Sequence, residues 1–129
     1  MSKITKAIRA VAIDHLRRIA PGAVQQRFCF PADFPGFAGH FPGYPILPAV
    51  VQLQAGLCVA EDALGQPLRL VGVENAKFLQ QLRPQQEIRI ESREQHRDDR
   101  LFCATRLWRD EDLAASFILV LTPAEASRC

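Results

Sequence analysis

Apolar and polar positions along the chain follow two different spacings. Ile88 and Ile90 alternate with Glu87, Arg89 and Glu91, the period of a strand with one buried face. "DD" at 98–99 and "DED" at 110–112 separate that strand from "RLFCATRLWR" and "LAASFILVL", and both predict hairpin turns. "LRLVGVENAKFL", residues 68–79, adds another strand ahead of them. Consecutive strands with short polar turns predict an antiparallel sheet.

The segment "PAVVQLQAGLCVAEDAL", residues 48–64, behaves differently. Apolar or small residues cover nearly every side until Glu61 and Asp62, which predicts a helix buried all round. Pro48 suits its first turn, and Gly65 and Pro67 end it. Residues 4–19 carry both spacings. Ile4, Ile8 and Val11 suit a helix, whereas Val11 and Ile13 alternate as in a strand. The turn "APG" at 20–22 leads into "AVQQRFCF", which favours a strand within 4–19 that pairs with it. "PADFPGFAGHFPGYP", residues 31–45, is a loop whose backbone is set by prolines and glycines. The expected architecture is α+β: a single domain over 1–129, with one helix wrapped by an antiparallel sheet.

Composition narrows the function classes. The 129 residues are 48% hydrophobic and 23% charged with a formal net charge of +2, ordinary for a globular domain and too mild for a nucleic-acid surface. No apolar run is long enough to predict a transmembrane helix, and "MSKITKAIRAVAIDHLRR" lacks the apolar centre of a signal peptide. A cytoplasmic location is expected. Cys29, Cys58, Cys103 and Cys129 form no C-x-x-C pair, so free thiols in a reducing compartment are expected. No His/Cys cluster stands at ligand spacing and no Gly-rich phosphate loop follows a strand, so neither metal nor cofactor is expected. His15 and His96 are expected at the surface.

"GHFPGYPILPAVVQLQAG", residues 39–56, resembles the signature of the FabA/FabZ-type 3-hydroxyacyl-acyl-carrier-protein dehydratases. His-Phe-Pro-Gly, then Pro, an apolar pair and Pro recur at that family's spacing. "ENAKFLQQLRPQQEIRIE" resembles the family's later strand pair, with "RPQQ" in place of a Pro-Gly-Asp turn. The resemblance runs from about residue 22 to 121 and is sharp over 39–56. The short N-terminus and "PILPAVVQL" are most similar to small dehydratase-like proteins of aryl-polyene clusters. The family implies a hotdog fold, in which a long central helix is wrapped by a curved antiparallel sheet.

The resemblance also implies roles. His40 is the catalytic base; imidazole titrates near neutrality, as abstraction of a C2 proton requires. The N–H of Ala49 or Val50 polarises the thioester carbonyl, because the first N–H groups of a helix lack internal partners. The family usually has glycine where Ala49 stands. Gly43 and Phe78 complete the expected substrate contacts, with Leu79 as a further wall.

Fourteen positions after the histidine the family carries an acid on the helix, and here that position is Gln54. An amide orients a hydroxyl or a water but has no proton to give. Glu61 lies on nearly the same helical face but about 10 Å further along the axis. Asp62 points elsewhere, and Asp33, in the preceding loop, is a candidate replacement that no pattern in the sequence supports. A structural role for Gln54, bonding across a dimer contact, competes with the functional one; Gln52 receives no role. The implied assembly is a dimer pairing His40 with the partner's Gln54. The implied substrate is an acyl group on the phosphopantetheine arm of an acidic carrier protein, docked near Lys77, Arg83 and Arg69. A hotdog thioesterase and a non-catalytic acyl-binding subunit are the alternatives.

Overall fold

Residues 3–37, 43 and 45–124 are described by the computed structural model. Two helices, α1 (Lys3–Ala10) and α2 (Ala49–Leu64), accompany six strands. The strands are β1 (Arg17–Ala20), β2 (Ala23–Cys29), β3 (Leu68–Phe78), β4 (Glu87–Arg97), β5 (Arg100–Arg109) and β6 (Asp112–Pro123). They form one sheet in the order β1-β2-β4-β5-β6-β3, and every pairing is antiparallel. The class is α+β, as the patterning predicts.

The β4–β5–β6 meander follows directly from its turns. Asp98 and Asp110 open the two tight turns with φ of 55°, a left-handed conformation that aspartate tolerates better than most residues. The β5 positions Leu101, Cys103, Thr105 and Leu107 are buried, and so are Phe117, Leu119 and Leu121 on β6. Their alternation gives the sheet one apolar face, and α2 lies on it. Gly56 sets the approach. A Cβ there would stand 3.0 Å from Phe117 Cε1 and 3.1 Å from Thr105 Cγ2, so only a residue without one lets the helix settle this close to β5 and β6.

Pro48 stands one residue outside α2, at the N-cap position with extended φ/ψ of −64° and 153°. At the other end Gly65 adopts φ of 67° and donates its N–H to Glu61 O. The helix has 16 residues, and it is not covered on every side. Val50 is 60% exposed, and Leu53, Gln54 and Leu57 are only partly covered. These positions recur as i, i+3, i+4 and i+7, so they form one stripe along the helix. Composition shows that a helix is apolar; it does not show which stripe the same chain leaves open.

The N-terminal segment also departs from expectation. Residues 3–10 are helical, and only Arg17–Ala20 forms a strand beside β2. Between them the chain still borders β2: Ile13 N–H donates to Arg27 O, and Cys29 N–H donates to Val11 O. The expected edge strand is therefore interrupted at residues 14–16. There Asp14 replaces a ladder acceptor with its side chain, taking the Arg27 N–H on Oδ1 at 2.8 Å and Arg27 Nε on Oδ2 at 2.9 Å.

Partial burial alone would raise the Asp14 pKa, but the bonds from the Arg27 backbone and guanidinium outweigh it and hold the carboxyl below the usual range. A depressed folded-state pKa gives stability above the ordinary aspartate pKa of about 4, and this is lost as pH falls through the folded value. Asp14→Asn is therefore expected to melt at lower temperature than the parent at neutral pH. The difference should close in acid, as thermal melts across pH will show.

Candidate active site

An open groove lies at the amino end of α2. Its lining includes Leu47, Pro48, Ala49 and Gln52 on one side and Phe78 and Leu79 on the other. Backbone bonds fix both walls. Leu47 N–H donates to Leu82 O at 2.7 Å, and the N–H groups of Leu79 and Gln80 both donate to Ala114 O. The first α2 N–H groups with partners are those of Val51 and Gln52, which both donate to Pro48 O. Those of Ala49 and Val50 have none among the described residues, as expected of a helix terminus. They carry the positive end of the helix dipole and suit an oxygen with growing negative charge.

The expected site residues distribute unevenly. His40 lies outside the described residues. Gly43 is exposed with φ of 83°, and nothing would meet a Cβ there within 4 Å; the left-handed backbone is what calls for glycine. Ala49 and Phe78 line the same groove. Phe78 is 43% exposed and leans on Phe117, with ring centroids 6.1 Å apart. Val50 and Gln54 stand on the open stripe of α2, and Gln54 has no side-chain hydrogen bond among the described residues.

The neighbouring acids are occupied. Glu61 Oε1 accepts from Arg9 Nη2 at 2.9 Å, and its Oε2 accepts the Leu68 N–H at 2.8 Å. Asp62 takes Arg9 Nε on both oxygens. These two carboxylates tie α1 and the start of β3 to the far end of α2, away from the groove at its amino end. Asp33 is exposed.

Buried thiols supply no nucleophile either. Burial pushes Cys58 up to about 11 despite the nearby Arg9 charge, with Glu61 and Asp62 adding to the rise. Burial likewise pushes Cys103 up to about 11 against a hydrogen bond with Ser92. Both are neutral thiols at physiological pH. Cys129 lies outside the described residues. His15 and His96 are exposed. Among the described residues no group of three or more His, Cys, Asp or Glu side chains gathers at metal-binding distance. No helix among them is long and apolar enough to cross a membrane.

Of the basic residues expected near the mouth, Arg83 directly follows Leu82, whose carbonyl accepts from Leu47 at the groove wall, and the other two do not line the groove. Lys77 pairs with Ser116 across β3 and β6 and lines a separate depression with Asn75 and Arg106. Arg69 pairs with Thr122 near the opposite end of β3. Arg109 is fastened to the groove wall, donating to Gln81 O and Gln80 Oε1. It closes β5 far from the groove in sequence, and no local pattern marks it.

The outer edge of β3 has no neighbouring strand among the described residues. This 11-residue strand exposes Leu70, Val71, Val73 and Phe78, and Leu79 follows it. A long apolar edge of this kind ordinarily requires a cover.

Residues 17–116 match the ApeI-like family, described as ApeI dehydratase. The chain belongs to this family. Its resemblance to FabZ-type dehydratases, drawn from residues 39–56, is upheld by the curated relatives. The 3-hydroxyacyl-[acyl-carrier-protein] dehydratase FabZ of Pelotomaculum thermopropionicum is 36% identical over 67 residues, 46% of this chain and 48% of that protein. FabZ of Chloroflexus aggregans is 34% identical over 89 residues, 61% of this chain and 60% of that protein. The chain thus spans about half the length of the curated relatives it matches. Among solved structures, a chain of the dehydratase heterocomplex ApeI:P from Xenorhabdus doucetiae superposes with a TM-score of 0.72 at 21% identity, covering 87% of this chain and 96% of that one. At that identity the likeness carries the ApeI-like fold alone.

Proposed function

We propose that this ApeI-like chain is a hydro-lyase that removes water from a 3-hydroxyacyl thioester held on the phosphopantetheine arm of an acyl-carrier protein, in fatty-acid or polyene-type lipid biosynthesis. The observation that carries this reading is the pair of N–H groups, Ala49 and Val50, with no partner among the described residues, beside a groove walled by Phe78 and Leu79. A thioester carbonyl oxygen placed against these donors is polarised. Its C2 proton becomes more acidic, and negative charge grows where the helix dipole is positive. His40, nine residues before α2 in sequence, takes that proton. The acyl chain lies along Phe78. No cofactor takes part.

Departure of the 3-hydroxyl needs a proton, and Gln54 cannot supply one. It orients the hydroxyl or a water while the imidazolium formed at His40 returns the proton. The site is shared between two chains in a hotdog dimer, His40 from one and the partner's Gln54 from the other. The open stripe of α2 and the uncovered edge of β3 support this assembly, because both need an apolar cover and both lie on elements next to the groove.

A second reading has its own support. With Glu61 and Asp62 engaged by Arg9 and Leu68, no neighbouring acid on α2 stands in for the missing one. That favours an acyl-binding subunit that works with an active homologue, and the Xenorhabdus relative belongs to a heterocomplex.

One assay separates these readings. Purified protein is incubated with 3-hydroxyacyl-carrier protein, and enoyl product and free thiol are followed together. Enoyl product is the expected result. Free thiol without enoyl would replace dehydration by thioester hydrolysis, and silence on both with retained acyl binding would leave only the subunit role.

A further inference from the structure

Gln52 is 4% exposed, on the sheet-facing side of α2. Its Nε2 donates to Leu47 O at 3.0 Å. That carbonyl can only accept, so the amide orientation is fixed and Oε1 is the remaining atom. Oε1 is buried and has no hydrogen-bond partner among the described residues. An unpaired buried acceptor costs about 1–3 kcal/mol. The bond to Leu47 O gives the framework a use for the amide nitrogen, but it gives none for Oε1.

Gln52 lines the same groove as Ala49 and Phe78. Helical side chains lean towards the amino end, and its bond to Leu47 shows that this one does. The groove therefore offers two donors, the N–H groups of Ala49 and Val50, and one buried acceptor. A thioester carbonyl alone would use the donors and leave the acceptor unmatched. A 3-hydroxyacyl thioester carries both complements on one short stretch: a carbonyl oxygen and, one methylene away, a hydroxyl.

We propose that Gln52 is a specificity residue that accepts a hydrogen bond from the substrate's 3-hydroxyl while the carbonyl rests on the amino end of α2. The proposal deepens the dehydratase reading and rests on it. A site built to bond a hydroxyl discriminates against ligands without one, because their binding leaves its buried polar atom unpaired. The same bond fixes the hydroxyl against the groove and leaves its oxygen lone pairs open to a proton from elsewhere.

The test compares a 3-hydroxyacyl pantetheine with the saturated acyl pantetheine of equal length, by calorimetric titration of wild type, Gln52→Met and Gln52→Leu. Wild type is expected to bind the hydroxy ligand roughly tenfold more tightly, and the variants to lose that preference while keeping their affinity for the saturated ligand. Thermal melts of the ligand-free variants are expected to stay close to wild type, since removal of the unpaired acceptor offsets the loss of the bond to Leu47 O. Equal loss of both ligands would overturn the proposal and assign the acceptor to an amide of the pantetheine arm. So would a variant that loses stability and both ligands together, which would place Gln52 in the framework. Preference for the hydroxy ligand without enoyl formation would keep Gln52 in its role and remove the dehydration step. Binding of neither ligand by wild type would overturn both.

Discussion

Replacing His40 by alanine will lower the rate of enoyl formation about 10²–10⁴-fold, the usual contribution of a positioned general base. The C2 proton is only modestly acidic even when the carbonyl is polarised, so carbonyl donors without a base leave most of the barrier in place. The N–H groups of Ala49 and Val50 are backbone and survive the substitution. For the same reason acyl binding should persist, and kcat should fall more than KM rises. Gln54→Glu provides the complementary measurement in the same assay. It restores a proton donor at the helix position, and dehydration should increase. Steady-state enoyl absorbance with carrier-linked substrate reads both variants, and far-UV circular dichroism confirms that each is folded. Unchanged turnover in His40→Ala would remove the imidazole from the mechanism.

The second large effect concerns the fold. Phe117→Ala should cost about 3–5 kcal/mol, the range for emptying a buried aromatic position. Phe117 is 2% exposed, and its ring fills the space that Gly56 leaves between α2 and the sheet. It also supports Phe78 from behind, so the loss reaches the groove wall. With a urea slope of about 1–3 kcal/mol per molar for small domains, the unfolding midpoint should fall by more than about 1 M. Phe117→Leu keeps most of the volume and should cost much less. A midpoint unmoved by Phe117→Ala would mean that α2 is not seated on this ring.

The sequence makes some parts of the molecule plain and hides others, for physical reasons. The β4–β5–β6 meander is legible because alternation, two-residue turns and Asp98 and Asp110 all point the same way. The length of α2 is legible because Pro48 and Gly65 mark its ends. The first 20 residues are not, because Ile4, Ile8 and Val11 satisfy a helix as well as a strand over so short a span. The choice is settled by Arg9 reaching Glu61 and Asp62, partners more than 50 residues away. In the site, Ala49 and Phe78 line one groove although they lie 29 positions apart in sequence. Gln52 and Gln54 look alike in sequence, two amides on one apolar helix. Two residues turn the helix by roughly 200°, so one amide enters the sheet-facing side and the other stays on the open stripe. Periodicity records that they differ in direction. Only the packing of Leu47, Phe78 and Leu79 says what each direction means.

The bare edge of β3 and the uncovered stripe of α2 have a consequence for how turnover is measured. In the proposed dimer a catalytic centre is completed by a neighbour and exists only as often as the neighbours meet, so each chain's output becomes a function of enzyme concentration. Dilution then acts as an inhibitor, one that spares the affinity of the assembled pair for substrate and removes only the number of working centres.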